Sequence, residues 1–256
     1  MAETGRYLYA IGRGLTDEDL AGVTGLQGGR LEVVERNGLT AIVSTVDLDE
    51  FGEEGLRRNL EDLTWLEAVA RTHDAVVHEA ASRTPTAPLR LATVCLGDDQ
   101  VRARLDEWRE ALERTLDRIT GRMEWSVKTF APEVVAQATA PVDAPTGAGA
   151  GAAYLRRRKE ATTQRESANE AAARVADEIH AALSAHAVAG RRLPPQDRRL
   201  TGHEGTMTLN GAYLVESPSA DQFRAAAEAL GTEHAELRLD VQGPWPPYSF
   251  ATLDDG

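Results

Sequence analysis

Near its C-terminus the chain crowds three prolines and three aromatic residues into eight positions, residues 243–250. Because a proline ring fixes φ and removes the backbone N–H, this stretch can form neither a helix interior nor a central strand. The residue before each proline is restricted to extended geometry, so we predict a semi-rigid, extended arm. Such an arm loses little entropy when it docks, either onto its own C-terminal domain or onto a partner. Its candidate partner contacts are Trp245, Pro246, Pro247, Tyr248 and Phe250.

The composition narrows the class of protein. The 256 residues are 27% charged and 42% hydrophobic, and the formal charge is −13. An acidic chain without a large basic patch is a poor candidate for nucleic-acid binding. The N-terminus lacks a secretory signal, and no apolar run approaches the roughly 18 residues that span a bilayer. These features indicate a globular cytoplasmic protein without a membrane segment.

Within the first 46 residues, three short segments have the composition and alternation typical of strands. Residues 6–11 predict a strand, and Thr16 followed by three acids predicts a helix start. Two further strands, 31–36 and 39–46, flank Asn37-Gly38, the pair that suits a type I′ hairpin turn.

Helical spacing of apolar residues then covers 60–83, and the prolines at 85 and 88 introduce a strand over 89–96. The order β-α-β-β-α-β is that of a ferredoxin-like domain. A helix over 101–119 and a strand over 123–130 extend it. We therefore predict a modified ferredoxin-like N-terminal domain over residues 1–130.

Residues 131–151 are rich in proline, alanine and glycine and predict a flexible linker. The predicted C-terminal domain, 152–256, begins with a long helix over 153–189 and ends in the arm. Between them we expect a weak strand at 199–201, a strand at 206–216, a helix at 220–230 and a strand at 235–241. The overall fold class is thus α+β, with two domains.

The first half of the long helix carries almost no apolar residues. A helix that is polar on all sides either protrudes or is covered by a partner. Tyr154, Arg156 and Arg157 in this half are therefore further candidate partner contacts.

No constellation typical of an enzyme, a cofactor site or a metal site is evident in the sequence. His73 and His78 are five residues apart, which is the wrong spacing for a shared metal on a helix. Because His73 lies on the apolar stripe of its helix, we predict that it is a core histidine. We predict that the single Cys95 is a buried structural thiol. The five acids between 47 and 54 lack the spacing of a calcium loop and predict a solvated loop. Trp65, Trp108 and Trp125 fall on core-facing positions.

Several short motifs, in order, resemble the gas vesicle accessory family GvpF/GvpL. They are the residues at 7–11, 62–73, 88–94, 124–128, 154–158 and 210–215, followed by the strand at 236–242 and the arm. The resemblance implies a non-enzymatic minor component of gas vesicle assembly that interacts with the major shell protein GvpA and with other accessory proteins. Two other readings stay open: a self-assembling scaffold, and an enzyme on a ferredoxin-like fold.

Overall fold

The structure is a computed structural model that describes residues 3–132, 150–196 and 205–251. It divides into two compact units. The first comprises Met1–Glu124 and Pro244–Gly256, and the second comprises Trp125–Gly243. The chain thus leaves the first unit once and returns to it at the arm. The predicted linker and the weak strand at 199–201 fall largely or wholly outside the described residues.

The first unit is built on a five-stranded sheet in the order β2-β3-β1-β4, with β5 also paired to β1. All its pairs are antiparallel. Its elements are β1 (Thr4–Gly12), two 3-10 turns (Glu18–Leu20 and Leu26–Gly28), β2 (Glu32–Arg36), β3 (Leu39–Asp47), α1 (Leu48–Phe51), α2 (Glu53–Asn59), α3 (Leu63–Arg83), β4 (Thr86–Pro88), β5 (Val94–Cys95), α4 (Asp98–Glu107) and α5 (Arg109–Ile119).

The β2–β3 hairpin confirms the turn prediction. Arg36 pairs with Leu39, and both Asn37 and Gly38 have positive φ, as a type I′ turn requires. The predicted helix after Thr16 is wrong, because this connection forms only short 3-10 turns. The Thr16 hydroxyl and backbone N–H both donate to the Asp19 carboxylate. These residues therefore form hydrogen bonds typical of a helix start, although no α-helix follows them.

Two other predicted elements are interrupted. Of the strand predicted over 89–96 only the two residues of β5 form, because Ala92 adopts a left-handed φ of 62° in the connection that follows β4. The helix predicted over 101–119 is divided at Trp108 into α4 and α5. Trp108 is only half-buried, and the Arg104 guanidinium lies over its ring at 5.3 Å.

The second unit holds a four-stranded sheet in the order β7-β8-β6-β9. Its elements are β6 (Arg122–Ala131), α6 (Ala150–Ala185), β7 (Ala189–Arg192), β8 (Thr206–Glu216), a 3-10 turn (Ser217–Ser219), α7 (Ala220–Glu233) and β9 (Arg238–Trp245). The strand predicted over 123–130 therefore exists as β6 but belongs to this sheet, which corrects its placement in the N-terminal domain. The alternation of apolar and polar residues shows which side chains share a face of a strand, but it does not show which strands pair with it.

A partly buried polar pair lies at the edge of the second core. His180 Nδ1 lies 2.8 Å from the Tyr213 hydroxyl, and the Tyr213 ring packs on Phe223. Gly211 faces the same ring so closely that a Cβ at this position would lie 2.7 Å from it. This close approach explains why a glycine stands within the buried run of β8.

Candidate partner-binding surfaces

The arm at the C-terminus turns back onto the first unit instead of extending. The N–H groups of Phe250 and Ala251 donate to the Pro247 carbonyl, which closes a turn directly after the two prolines. β9 ends at Trp245 as an edge strand, a position in which Pro244 is tolerated because its missing N–H interrupts no ladder on the open side. We call residues 246–251 the C-terminal clasp.

Three side chains of the first unit hold the clasp. The Tyr248 hydroxyl donates to Asp74 Oδ1 at 3.0 Å, and the Glu124 carboxylate accepts from both the N–H and the hydroxyl of Ser249, at 2.7 and 2.6 Å. Arg118 donates to the Phe250 carbonyl. All of these residues belong to the first unit. The expected docking of the arm on the C-terminal domain is therefore wrong.

Burial separates the predicted contact residues of the arm. Pro246, Pro247 and Phe250 are buried, and Tyr248 is half-buried against the aromatic core of the first unit. Burial and the neighbouring Asp74 carboxylate raise the pKa of the Tyr248 phenol. Trp245 is different, since 41% of its surface is exposed. Trp245 is thus the residue of this group that keeps a large apolar surface open to solvent.

The core next to the clasp is aromatic and contains a buried hydrogen-bond network. Tyr7 and Tyr9 of β1 share one face of the sheet, and the Tyr7 hydroxyl lies 3.0 Å from His73 Nδ1 while accepting the N–H of Ala92. The Tyr9 hydroxyl accepts the N–H of Leu26. These contacts join the motifs at 7–11, 62–73 and 88–94 in one place. The network fits the expected role of His73 as a core histidine.

His73 is buried in its neutral form. Burial lowers the pKa of its imidazole to about 4, against smaller opposing contributions from the Leu89 backbone and the Asp74 carboxylate. His78 lies on the exposed face of the same helix. The two histidines therefore face different surroundings on α3.

The free half of α6 is the second candidate surface. Among the described side chains of this 36-residue helix, the buried ones are Ala172, Ala176, Ile179 and Leu183, all in its C-terminal half. From residue 155 to 167 every described side chain is exposed except the half-buried Ala161. Leu155 is 65% exposed. Arg156 is also exposed, while the side chains of Tyr154 and Arg157 lie outside the described residues.

The remaining candidates for a reactive or metal-binding group are the single cysteine and clusters of histidine or acidic side chains. Cys95 is buried, and burial raises the pKa of its thiol; it lines a cavity of about 270 Å³ with Gln100 and Arg104. Within the described ranges, no three histidine, cysteine or acidic side chains cluster as a metal site. No helix among the described residues is long and apolar enough to cross a membrane.

The acids at 47–54 form helix starts, which corrects the predicted solvated loop. The Asp47 carboxylate caps α1 by accepting the Asp49 N–H at 2.8 Å. Glu50 accepts from the indole of Trp65, whose ring packs on Phe51. Acids are favoured in a first helical turn, and this signal was visible in the sequence.

Comparison with known proteins identifies the family. The model described as gas vesicle synthesis protein GvpL/GvpF matches residues 5–252. The chain belongs to the GvpL/GvpF family. It is 37% identical over 249 residues to gas vesicle protein L of Streptomyces sp. (strain CB03234), covering 97% of this chain and 93% of that protein. It is 28% identical over 260 residues to gas vesicle protein F of the same strain, covering 95% and 98%.

Solved structures of the family share the fold. The crystal structure of GvpF from Anabaena sp. PCC7120 matches with a TM-score of 0.67 at 20% identity, over 98% of this chain and 97% of that one. GvpF from Microcystis aeruginosa matches with a TM-score of 0.65 at 17% identity, over 97% and 99%. The mixed α+β fold predicted from the sequence is thus the fold of known GvpF proteins, and the resemblance seen in the motifs is confirmed.

Proposed function

We propose that this protein is a non-enzymatic accessory factor of gas vesicle assembly, which works in the cytoplasm and binds the shell protein GvpA and other accessory proteins. Membership of the GvpL/GvpF family supplies the link to gas vesicles. The observation that carries the binding role is the free half of α6, with Leu155 exposed at its surface.

The physical argument concerns what stabilises such a helix. Most helical stability in proteins comes from packing of one face, and short isolated helices are marginal in water. In α6 the packed stripe begins only at Ala172, so the described side chains of residues 155–167, apart from the half-buried Ala161, are not covered by described parts of their own unit. A protein partner that covers this half supplies the missing packing. Tyr154, Arg156 and Arg157 are the residues that we assign to this contact.

Trp245 is the proposed second contact. Tryptophan is enriched among residues that dominate binding energy, and this ring is anchored directly before a buried proline pair. The anchoring reduces the conformational entropy that the ring loses on binding. Pro246, Pro247, Tyr248 and Phe250 then contribute indirectly, because they fix the position of Trp245.

The test measures the affinity of the full chain for immobilised shell protein. The double variant Leu155→Ser/Arg156→Ser removes an exposed leucine and an exposed arginine from α6. Its matched control, Leu96→Ser/Arg114→Ser, removes the same residue types from exposed positions on the first unit. We expect the α6 variant to bind at least about tenfold more weakly, a loss typical of an interface anchor, while the control binds like the wild type. Equal affinity of the two variants contradicts the proposal.

A further inference from the structure

Two leucines three residues apart are exposed at the junction of α2 and α3. Leu60 is 46% exposed and Leu63 is 73% exposed. Asp62 between them caps α3 by accepting the N–H groups of Thr64 and Trp65. Trp65 provides the inward contact with Phe51, whereas Leu63 keeps most of its surface open to solvent. We call Leu60 and Leu63, with the carboxylates of Glu53, Glu54 and Glu61, the acidic elbow.

The acidic elbow is strongly negative. Residues 47–67 contain eight acids and two arginines, a formal charge of −6. Several of these acids are occupied: Asp47 and Asp62 cap helices, and Glu67 pairs with Arg71. Glu53, Glu54 and Glu61 are exposed, and none of them forms an ion pair in the described part of the chain. An apolar patch with a negative rim therefore lies open to solvent, and such a patch fits a cationic partner that has its own exposed apolar side chain.

The free half of α6 has this complementary character. Residues 155–165 contain five basic residues and one acid, a formal charge of +4 in a chain of −13. Arg158, Lys159 and Arg165 are exposed and make no ion pair with described residues. Leu155 is the exposed apolar side chain beside them. Each copy of the protein thus carries both halves of a matched pair of surfaces.

We propose that the acidic elbow of one copy binds the basic half of α6 of a second copy. The contact joins two different surfaces, so it is heterologous: one copy keeps its basic half of α6 free and the other keeps its acidic elbow free. Association can therefore continue beyond a dimer. Because the charges lie at the surface, the contact is weak at physiological salt and weakens further as salt screens it. This self-association goes beyond the proposed function, since it requires no shell protein.

The test is sedimentation velocity of the full chain without shell protein, over a concentration series at about 50 mM and about 500 mM salt, where the Debye length falls roughly threefold. The wild type is expected to show a concentration-dependent rise in sedimentation coefficient at low salt and little or none at high salt. Leu60→Ser/Leu63→Ser should weaken association at least about tenfold. Leu96→Ser, which removes a leucine that is 67% exposed elsewhere on the first unit, should not weaken it.

Charge reversal identifies the two surfaces as partners. One variant, Glu53→Lys/Glu54→Lys/Glu61→Lys, replaces the three elbow carboxylates with lysines and brings residues 47–67 from a formal charge of −6 to 0. The other, Arg156→Glu/Arg158→Glu/Lys159→Glu, changes residues 155–165 from +4 to −2. Each alone should remain monomeric, and an equimolar mixture should associate again. Circular dichroism and thermal midpoints near those of the wild type check that both variants fold. A wild type that stays monomeric at low salt, variants that associate alone, or a mixture that does not associate would each overturn the proposal.

Discussion

The C-terminal clasp and the free half of α6 were both expected from the sequence to contact a partner, and the structure treats them in opposite ways. The clasp is the more apolar of the two, yet it is packed onto its own unit and held there by hydrogen bonds to Asp74, Arg118 and Glu124. The helix half is polar and carries one exposed leucine, yet nothing described covers it. A segment is therefore available for a partner only if the rest of the chain does not already cover it. The aromatic content of the segment alone does not show this.

The sharpest way to break this comparison is to truncate the buried end of the clasp. Phe250→Ala removes a fully buried ring, and we expect unfolding to become easier by about 3–5 kcal/mol, as for other large-to-small core changes. Chemical denaturation measures the loss. Affinity for shell protein in the remaining folded fraction should be unchanged. A fall in affinity without loss of stability would mean that the clasp itself binds the partner.

A second prediction concerns pH and the core beside the clasp. The pKa of His73 is about 4 in the fold but close to 6.5 in an unfolded chain, so folding favours the neutral imidazole. Its stabilisation is complete above pH ~6.5 and is lost as the pH falls towards 4, by about 2–3 kcal/mol at pH ~4.5. We compare urea unfolding of the wild type and His73→Gln at both ends of this range. The difference between the two proteins should shrink at low pH; a constant difference would show that His73 is not buried neutral.

The two hydrogen bonds from Ser249 to Glu124 are expected to contribute less to the free energy of unfolding. Each hydrogen bond contributes about 1 kcal/mol, or more when its acceptor is charged. A double-mutant cycle with Glu124→Gln and Ser249→Ala isolates their coupling from the other interactions of Glu124. We expect a coupling energy of about 1 kcal/mol. Additive effects of the two changes would place Ser249 outside the clasp in solution.

The smallest stability effect is expected for Trp245→Ala. Because the ring is 41% exposed, removing it should cost only about 1 kcal/mol, or roughly 2–4 °C in thermal midpoint. Affinity for shell protein should fall more clearly than the midpoint does. A large loss of midpoint with unchanged affinity would move Trp245 from the binding surface into the structural clasp.

The sequence predicted local structure well where one pattern decides it. The strand over 206–216 and the hairpin at Asn37-Gly38 were found because alternation and turn chemistry act over a few residues. The clasp was placed wrongly because Tyr248 and Asp74 are 174 residues apart, and no local pattern records such a pairing. For the same reason β6 was assigned to the wrong unit. Its residues specify a strand, but not the sheet that the strand joins.

For the candidate surfaces too, the sequence predicted what depends on a local pattern and missed what depends on the fold. The polar first half of α6 was visible as a helix without an apolar stripe, because a helical period is local. The exposure of Leu63 was not, since Leu63 and Trp65 are both apolar and only the fold decides which one faces inward. A burial pattern near a helix start is ambiguous until the neighbouring elements are known.

Hydrogen exchange of the full chain, with and without shell protein, tests the central claim most directly because both regions report in one measurement. In the free protein, the amides of Tyr248, Ser249 and Phe250 should be protected by their hydrogen bonds. The amides of residues 155–167 should exchange quickly. With shell protein added, we predict new protection over 155–167 and no change over residues 246–251. New protection confined to residues 246–251, with an unchanged α6, would contradict the account.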